Sequence, residues 1–518
     1  MVHLNRTITR HLYWTNCLYI GPVDSQRSRR APRGADLLQL DPSAAPARGL
    51  TTWLAGMLRA GIRDGRLRPG TALPATRVLA GDLGVSRGVI VEAYQRLRDE
   101  GLISARSGAG TRVLPGGAPG TVLAGTVLAG TPDGEPGPGG PAASVLTLPR
   151  RWRAHAEIDL SPGVPDLSAF PRAAWLRAER AVLAQATAAD LGYGDPRGSE
   201  QLRTKLADWL ARTRGLRTSA DTIIVVAGVA QALALLAQVL RARGKTRIAV
   251  EDPGSRGAHE ELVHWGLDPV PVPVDDEGLR VADLVRSGVP TAVLTPAHQF
   301  PTGVVLGPER RRDLLNWAAA GGLVIEDDYD AEFRYDRAPV PALHASAPGR
   351  IAYAGSVSKT LAPGMRLGWL VPPPWLHADI VAAKHASDLG TPALPQLVLA
   401  HLIAAGDLEH HIRLVRNRQR RRRDALLAGL REHLPRACIQ GIPAGLHLLV
   451  TLPGLAGRLD DTDLARRIQQ AGVLAHALSW HRERAGPPGL VLGYAAHTPD
   501  ELREAARRIA RAVHDLSP

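Results

Sequence analysis

The 518-residue chain has 63 basic residues, of which only four are lysines: Lys205, Lys245, Lys359 and Lys384. Chemistry that needs a lysine amine therefore has four places to live. Such amines form Schiff bases with carbonyl compounds when their pKa is lowered. Lys205 falls in a polar helical stretch, Lys245 in a loop, and Lys384 in a helix beside His385. Lys359 lies in GSVSKTLAPGMRLGW (Gly355–Trp369). It follows a strand and a small-residue turn, with hydroxyls at Ser356 and Ser358 and a guanidinium at Arg366. Hydroxyls beside an arginine fork suit a phosphate. Taken alone, the segment reads equally as a surface lysine on a loop.

Three further segments supply what such a lysine would need. In VIEDDYDAEFRY (Val324–Tyr335) a buried strand delivers Glu326, Asp327, Asp328 and Tyr329 at its carboxyl end. Consecutive acids after an apolar strand are costly unless they have partners. A metal is the weaker reading, because no histidine or second carboxylate cluster is spaced to complete a site. In VVAGVAQALALL (Val225–Leu236) a strand ends, Gly228 turns the chain and a helix begins, exposing amides that suit a phosphate. TPAHQFPTG (Thr295–Gly303) is another turn after a strand. A Schiff-base lysine, an acid for a pyridinium nitrogen and a phosphate cup together suggest pyridoxal phosphate.

The elements that must position these residues alternate. Strands are expected at 222–227, 247–251, 292–295, 323–326 and 351–354, and helices at 231–243, 307–320 and 410–430. Alternation at this spacing implies an α/β domain with a largely parallel sheet covered by helices. Ligands of such sheets bind beyond the carboxyl ends of the strands. After about Leu370 the chain reads as helices plus a short sheet (445–452, 489–495). The run RNRQRRRR (Arg416–Arg423) reads as the solvated face of an amphipathic helix rather than a second nucleic-acid patch.

Hydrophobic residues at 45% and charged residues at 22% fit a folded protein. No run reaches the ~18 apolar residues of a membrane helix, and no signal peptide is evident. Two cysteines, Cys17 and Cys438, cannot make a disulfide framework, which fits a reducing cytoplasm. The formal charge of +13 is uneven: residues 48–112 hold 11 Arg against 5 acids. That concentration suggests a polyanion partner, with an unpartnered basic surface as the alternative.

The basic segment itself is patterned. A helix is expected over 50–64. A second begins near Thr76, with Val78, Leu79 and Leu83 on its apolar face, and Gly84 ends it. A third spans 87–100, N-capped by Ser86, with Val89, Ile90, Ala93, Tyr94 and Leu97 on one face. GLISARSGAGTRVL then reads as a two-stranded ribbon with a tip at Ser107–Gly110. This is a winged helix-turn-helix pattern, whose third helix enters the major groove of double-stranded DNA by its N-terminal end. Ser86, Arg87 and Gly88 would lie near base edges or phosphates. Arg77 and the wing residues Arg106, Gly108, Gly110 and Thr111 would meet the backbone.

The stretch GRLRPGTALPATRVLAGDLGVSRGVIVEAYQRLRDEGLISARSGAGTRV resembles the DNA-binding domain of GntR-type regulators. From about Leu160 to Pro374 the chain is similar to the fold-type I aminotransferase domain. The carrying segments are SPGVPDLSAFP, LGYGDPRGSEQLR, EDPGSRGAH, TPAHQFPTG, IEDDYDAEFRY and GSVSKTLAPGMRLGW. The two together resemble the MocR-type subfamily of GntR regulators. The organisation expected is an N-terminal extension (1–36), a winged helix-turn-helix domain (37–114), a Gly/Pro-rich linker (115–149) and an aminotransferase-like effector domain (150–518) with a smaller C-terminal α+β subdomain.

The resemblance implies roles. Lys359 would hold pyridoxal phosphate as a Schiff base, Asp327 would pair with the pyridinium nitrogen, and Tyr329 with the phenolic oxygen. Ser356, Ser358 and Arg366 would bind the phosphate, helped by the amides of Val229 and Ala230. His298 and Phe300 would lie beside the ring, and Tyr193 would reach the partner subunit's cofactor in a head-to-tail homodimer. The function implied is a cytoplasmic transcription regulator that senses a small amine, an amino acid or the cofactor itself. An active aminotransferase with an attached DNA-binding domain is the rival. The sequence departs from the family in three places. Ser255 stands where an aromatic is usual, Val229 replaces a hydroxyl, and GLVLGYA (Gly489–Ala495) lacks the arginine that holds a substrate carboxylate. His447, His497 and the arginines near Trp480 are candidate substitutes.

Overall fold

The computed structural model describes residues 49–114 and 156–515, apart from 64–65, 68, 101, 107–109, 337 and 456–459. The expected extension, the linker, Cys17 and Gly108 lie outside the described residues. The chain divides into two compact units.

In the N-terminal unit, helices α1 (Leu50–Arg63), α2 (Thr76–Leu83) and α3 (Arg87–Asp99) surround a core of Leu54, Leu58, Leu79, Ile90 and Leu97. The buried Ile90, Ala93, Tyr94 and Leu97 recur at helical spacing, which fixes the inward face of α3. Gly84 ends α2 at φ 65°, a left-handed cap that glycine adopts without strain. Strand β1 (Ala72–Leu73) pairs with β3 (Gly110–Val113), which pairs antiparallel with β2 (Ile103–Arg106) as a ribbon. Two expectations fail here. Val78 is 52% exposed, because Leu79 and Ala80 supply the inward face of so short a helix. Ser86 occupies the N-cap position of α3, but its side chain makes no cap hydrogen bond.

The second unit begins with β4 (Ile158–Asp159), α4 (Arg172–Gln185) and α5 (Glu200–Arg214). Its large sheet has the order β5-β12-β11-β10-β9-β6-β7-β8. The strands are β5 (Ile224–Val226), β6 (Arg247–Asp252), β7 (Asp268–Asp275), β8 (Gly278–Leu279), β9 (Thr291–Leu294), β10 (Leu323–Asp328), β11 (Ile351–Ser356) and β12 (Gly368–Val371). Strands β11, β10, β9, β6 and β7 run parallel, while β12 is antiparallel between β11 and β5. Successive residues of β10 alternate between two cores. Leu323 and Ile325 join the layer with α6 (Val229–Ala242), α7 (Arg256–His264) and α10 (Pro374–Asp388). Val324 joins the layer with α8 (Val281–Ser287) and α9 (Pro308–Ala319). Both faces being buried, the strands read as continuous apolar runs.

The remaining chain adds α11 (Ala393–Ala404) and the long α12 (Asp407–His433), then a smaller α+β lobe. In that lobe β13 (Cys438–Gln440), β14 (His447–Thr451), β17 (Gly489–Gly493) and β16 (His476–Ala477) form an antiparallel sheet. Helices α12, α13 (Asp461–Gln470) and α14 (Pro499–His514) cover it, and α14 opens with a Thr498/Glu501 capping box. Strand β4 pairs with β15 (Val473–Leu474), tying the start of this unit to the small lobe. The arginine run lies on α12, where most of it is solvated. Arg422 is the exception: it is buried, with Nη1 2.8 Å from Asp166.

Candidate functional site

Strand geometry sorts the three consecutive acids of β10, because neighbouring side chains point to opposite faces. Glu326 accepts from the amides of Leu343 (2.9 Å) and His344 (3.0 Å). Asp328 accepts from Arg214 and from the Tyr353 hydroxyl, each at 2.6 Å. Asp327, between them, faces the other way into a cleft of about 390 Å³ that Lys359 and Tyr329 also line. Its Oδ1 is buried without a hydrogen-bond partner. Burial, then the charges of Asp328 and Asp330, raise its pKa to about 7, against the pull of Lys359.

Lys359 follows β11. Its Nζ donates to the carbonyl of Gly163. Desolvation lowers its pKa, while Asp330 and Asp327 act the other way. Gly163 has φ +83°, and a Cβ there would sit 3.4 Å from Nζ, so both the turn and the contact call for glycine. The segment 160–164 that carries it is tied to the small lobe: Leu160 donates to Leu474 O, and Gly493 donates to Leu160 O. The lysine thus touches a strap anchored in the other lobe.

The Tyr329 hydroxyl donates to His298 O and lies 3.1 Å from His298 Nδ1, which is 2.9 Å from Asp330. Phe300 packs edge-on to Tyr329, His447 and His481. On the phosphate side, Arg366 donates to Ala227 O at the turn before α6. A Cβ on Gly228 would meet its guanidinium at 3.4 Å. The buried Ser356 accepts from the amide of Ser358 at 3.3 Å. Gly368 bridges Ser356 and Gly228, with no room for a side chain against either. Val229 and Ala230 open α6 directly after Gly228. Gly228, Arg366 and Ser356 thus come together at the start of α6, a few residues along the chain from Lys359.

Other sequence candidates fall elsewhere. Tyr193 is 95% exposed and lines a separate cavity with Asp388 and Thr391, not the cleft of its own chain. Three of the proposed substitutes for the missing arginine are already engaged, and the fourth, Arg484, is exposed and has only Asp252 beside it, at 3.8 Å. His447 Nε2 faces Pro301 O, His497 Nε2 faces Asp159 O, and Arg482 donates to the carbonyls of Gly486 and Pro487. Sequence spacing also hid a cluster: potential ligand atoms of His298, Asp330 and His447 lie within 4.8 Å of one another. Asp330 already occupies His298 there. Residues that the sequence reading missed in the cleft include Gly163, Arg256, Thr295, His476 and His481. Gly163, Arg256 and Thr295 lie inside SPGVPDLSAFP, EDPGSRGAH and TPAHQFPTG without standing out there, whereas His476 and His481 carry no local motif.

In the N-terminal unit Arg77, Ser86, Arg87, Gly88 and Gly110 are exposed, and Thr111 is half-buried. Arg87 Nε reaches Thr76 Oγ1 at 3.4 Å, linking the starts of α3 and α2. Arg106 lies on β2. Val91, one turn beyond Arg87, is 46% exposed.

The profile of the bacterial regulatory proteins of the gntR family matches residues 50–113, and that of aminotransferase class I and II matches residues 156–509. The chain is 32% identical to the probable rhizopine catabolism regulatory protein MocR of Rhizobium meliloti, over 88% of this chain and 92% of that one. The chain belongs to the MocR-type GntR regulators. Another such relative, the HTH-type pyridoxine biosynthesis transcriptional regulator PdxR of Corynebacterium glutamicum, is 33% identical over 91% of this chain and 97% of its own. Among solved structures, Pyrococcus horikoshii kynurenine aminotransferase, in complex with PMP, superposes with a TM-score of 0.67 at 27% identity. It covers 73% of this chain and 96% of that one. Like its family, this MocR-type chain uses pyridoxal phosphate. The site fits the cofactor: the unpartnered, buried Asp327 Oδ1 is what a protonated ring nitrogen would complete. Among the described residues no helix is long and apolar enough to cross a membrane.

Proposed function

We propose that this regulator binds operator DNA through the start of α3 and senses a small amine, an amino acid or the cofactor itself in the cleft around Lys359. The observation that carries the reading is the pairing of two unusual groups in one cleft. One is a desolvated lysine held by the strap, the other a buried carboxylate left without a partner. When bound, pyridoxal phosphate supplies an aldehyde that condenses with primary amines and a ring that withdraws electrons.

The chain's own residues divide the work. Asp327 holds a proton on the ring nitrogen. Tyr329, fixed by His298 and Asp330, offers its hydroxyl to the phenolic oxygen, with His298 and Phe300 at its side. Ser356, Ser358, Arg366 and the amides of Val229 and Ala230 hold the phosphate. An amine effector would exchange with Lys359 for that aldehyde and return the lysine's free amine to the carbonyl of Gly163. The strap carrying Gly163 is hydrogen-bonded to β15 and β17, so that exchange reaches the small lobe.

A head-to-tail homodimer in the cytoplasm completes the proposal. The exposed Tyr193, with Leu191 and Leu389 also exposed, suits a second copy that receives the tyrosine at its cofactor phosphate. An active aminotransferase is the second reading, favoured by the full Lys359–Asp327–Tyr329 set. It is weakened by the lack of an arginine on β17. Purified protein should show a visible cofactor absorbance band that Lys359→Ala abolishes while operator binding persists. A band that survives the substitution would refute the assignment. Sustained turnover of an amino acid with a keto-acid acceptor would favour the enzyme.

A further inference from the structure

The cleft does not end at the residues assigned to the cofactor. Ser255, Arg256, Thr295, Asp327 and His481 line both it and a second cavity of about 660 Å³, so the two adjoin. Ser255 puts only a small side chain on the wall that the two cavities share. Ser255 Oγ turns back to accept from Ala258 N at 3.2 Å, capping α7. The second chamber is acidic: Glu251, Asp252, Glu260 and Glu483 face Arg256 and Arg482.

Both guanidiniums are engaged. Arg256 is bonded to Glu260 at 2.8 Å, and Arg482 to two backbone carbonyls at 2.7 and 2.8 Å. The acids have capacity to spare. Asp252 is 6% exposed. Its Oδ1 accepts from Glu483 N, whereas Oδ2 accepts no hydrogen bond and has Arg484 Nε only at 3.8 Å. His481, also 6% exposed, has an Nδ1 without a hydrogen-bond partner. Burial, then His476 and Arg256, push its pKa down to about 3, so its ring is neutral and takes no part as a cation. A carboxylate entering this chamber would meet like charge and no unengaged arginine. An ammonium would find a carboxylate oxygen that lacks a donor.

We infer that the effector is an elongated diamine, with one amine end beside Lys359 and the second, protonated end in the acidic chamber beyond Ser255. The inference rests on the sensor reading above and names the chemical class of what is sensed. The test is calorimetric titration of the full-length, cofactor-loaded protein with matched ligands. These are α,ω-diamines of three to six carbons, the ω-amino acids of the same length, and the corresponding monoamines. The best diamine should bind at least about tenfold more tightly than its matched amino acid and monoamine. Asp252→Asn should erase most of that advantage, and Asp252→Ala should do the same, while the monoamine still binds. The comparison on unaltered protein stands even if a variant fails to fold. An amino acid or monoamine that binds as tightly as the diamine would overturn the class and leave the sensor reading intact. So would a diamine advantage that persists in both variants. If no amine binds and none changes operator affinity, the diamine falls, and the sensor reading keeps only the cofactor itself as its signal.

Discussion

The surroundings of Asp327 penalise its charged form. Burial and the neighbouring Asp328 and Asp330 raise its pKa to about 7, so near neutrality much of the population is protonated. The role assigned to it needs the carboxylate. A cofactor whose ring nitrogen arrives already protonated must then expel a proton below about pH 7, and its affinity should fall by up to about tenfold per pH unit on the acid side, levelling above. Lys359, whose pKa is lowered by desolvation, pushes in the same direction, since only its neutral amine is nucleophilic. Absorbance titrations with pyridoxal phosphate from pH 5.5 to 8 should show this slope, and Asp327→Asn should flatten it while weakening binding throughout. An unchanged slope in the variant would remove Asp327 from the role. These residues were legible in sequence because each sits inside a short motif after a strand, where chain order alone brings lysine, acid and tyrosine to one sheet end. Gly163 was not: it meets Lys359 from 196 positions away. Nor was His481, which packs against Phe300 from a different lobe.

At the scale of elements, the strap 160–164 is the piece that joins the lysine to the small lobe, and Gly493 on β17 is the point where it is pinned. A Cβ at Gly493 would lie 2.4 Å from Ser161 O. Gly493→Ala must therefore push the strap away from β17, at a cost of about 1–3 kcal/mol. Chemical denaturation should register that loss, and the band of the bound cofactor should shift as Gly163 leaves Lys359. A normal band with normal stability would mean the strap is not coupled. In the other unit, the proposed contact to DNA is the start of α3. Arg87→Ala should weaken operator binding at fixed salt and leave the cofactor band untouched. If the contact is to a phosphate, the salt slope should drop by about one. Strands β5, β6, β9, β10 and β11 were legible because burial on both faces gives apolar runs, while the short β8 and β12 were not. Strand β7 was not, since DPVPVPVD carries three prolines. Prolines at period two withdraw donors from one edge only, and beyond β7 only the two-residue β8 pairs. The three-helix head was legible except for Val78, because an eight-residue helix can bury only part of an apolar stripe.

For the whole molecule, regulation requires that two compact units share one free energy. The uneven charge is consistent with that division of labour: the DNA-reading unit is basic, whereas the effector unit is an α/β body built around a buried acidic site. A signal passing between them has a thermodynamic form that does not depend on how the units are arranged. If an amine raises or lowers operator affinity by a factor α, operator DNA must change amine affinity by the same factor. Couplings of this kind are typically about 1–3 kcal/mol, or about 5- to 150-fold, well within reach of calorimetry. Amine titrations with and without saturating operator, set beside operator titrations with and without saturating amine, should return one value of α. In Lys359→Ala the value should collapse to one while operator binding survives, because the lysine–strap contact through which ligand occupancy is felt has gone. An α of one in the unaltered protein would mean that the cleft binds amines without informing the DNA head. The aminotransferase reading would then account better for why the site is kept.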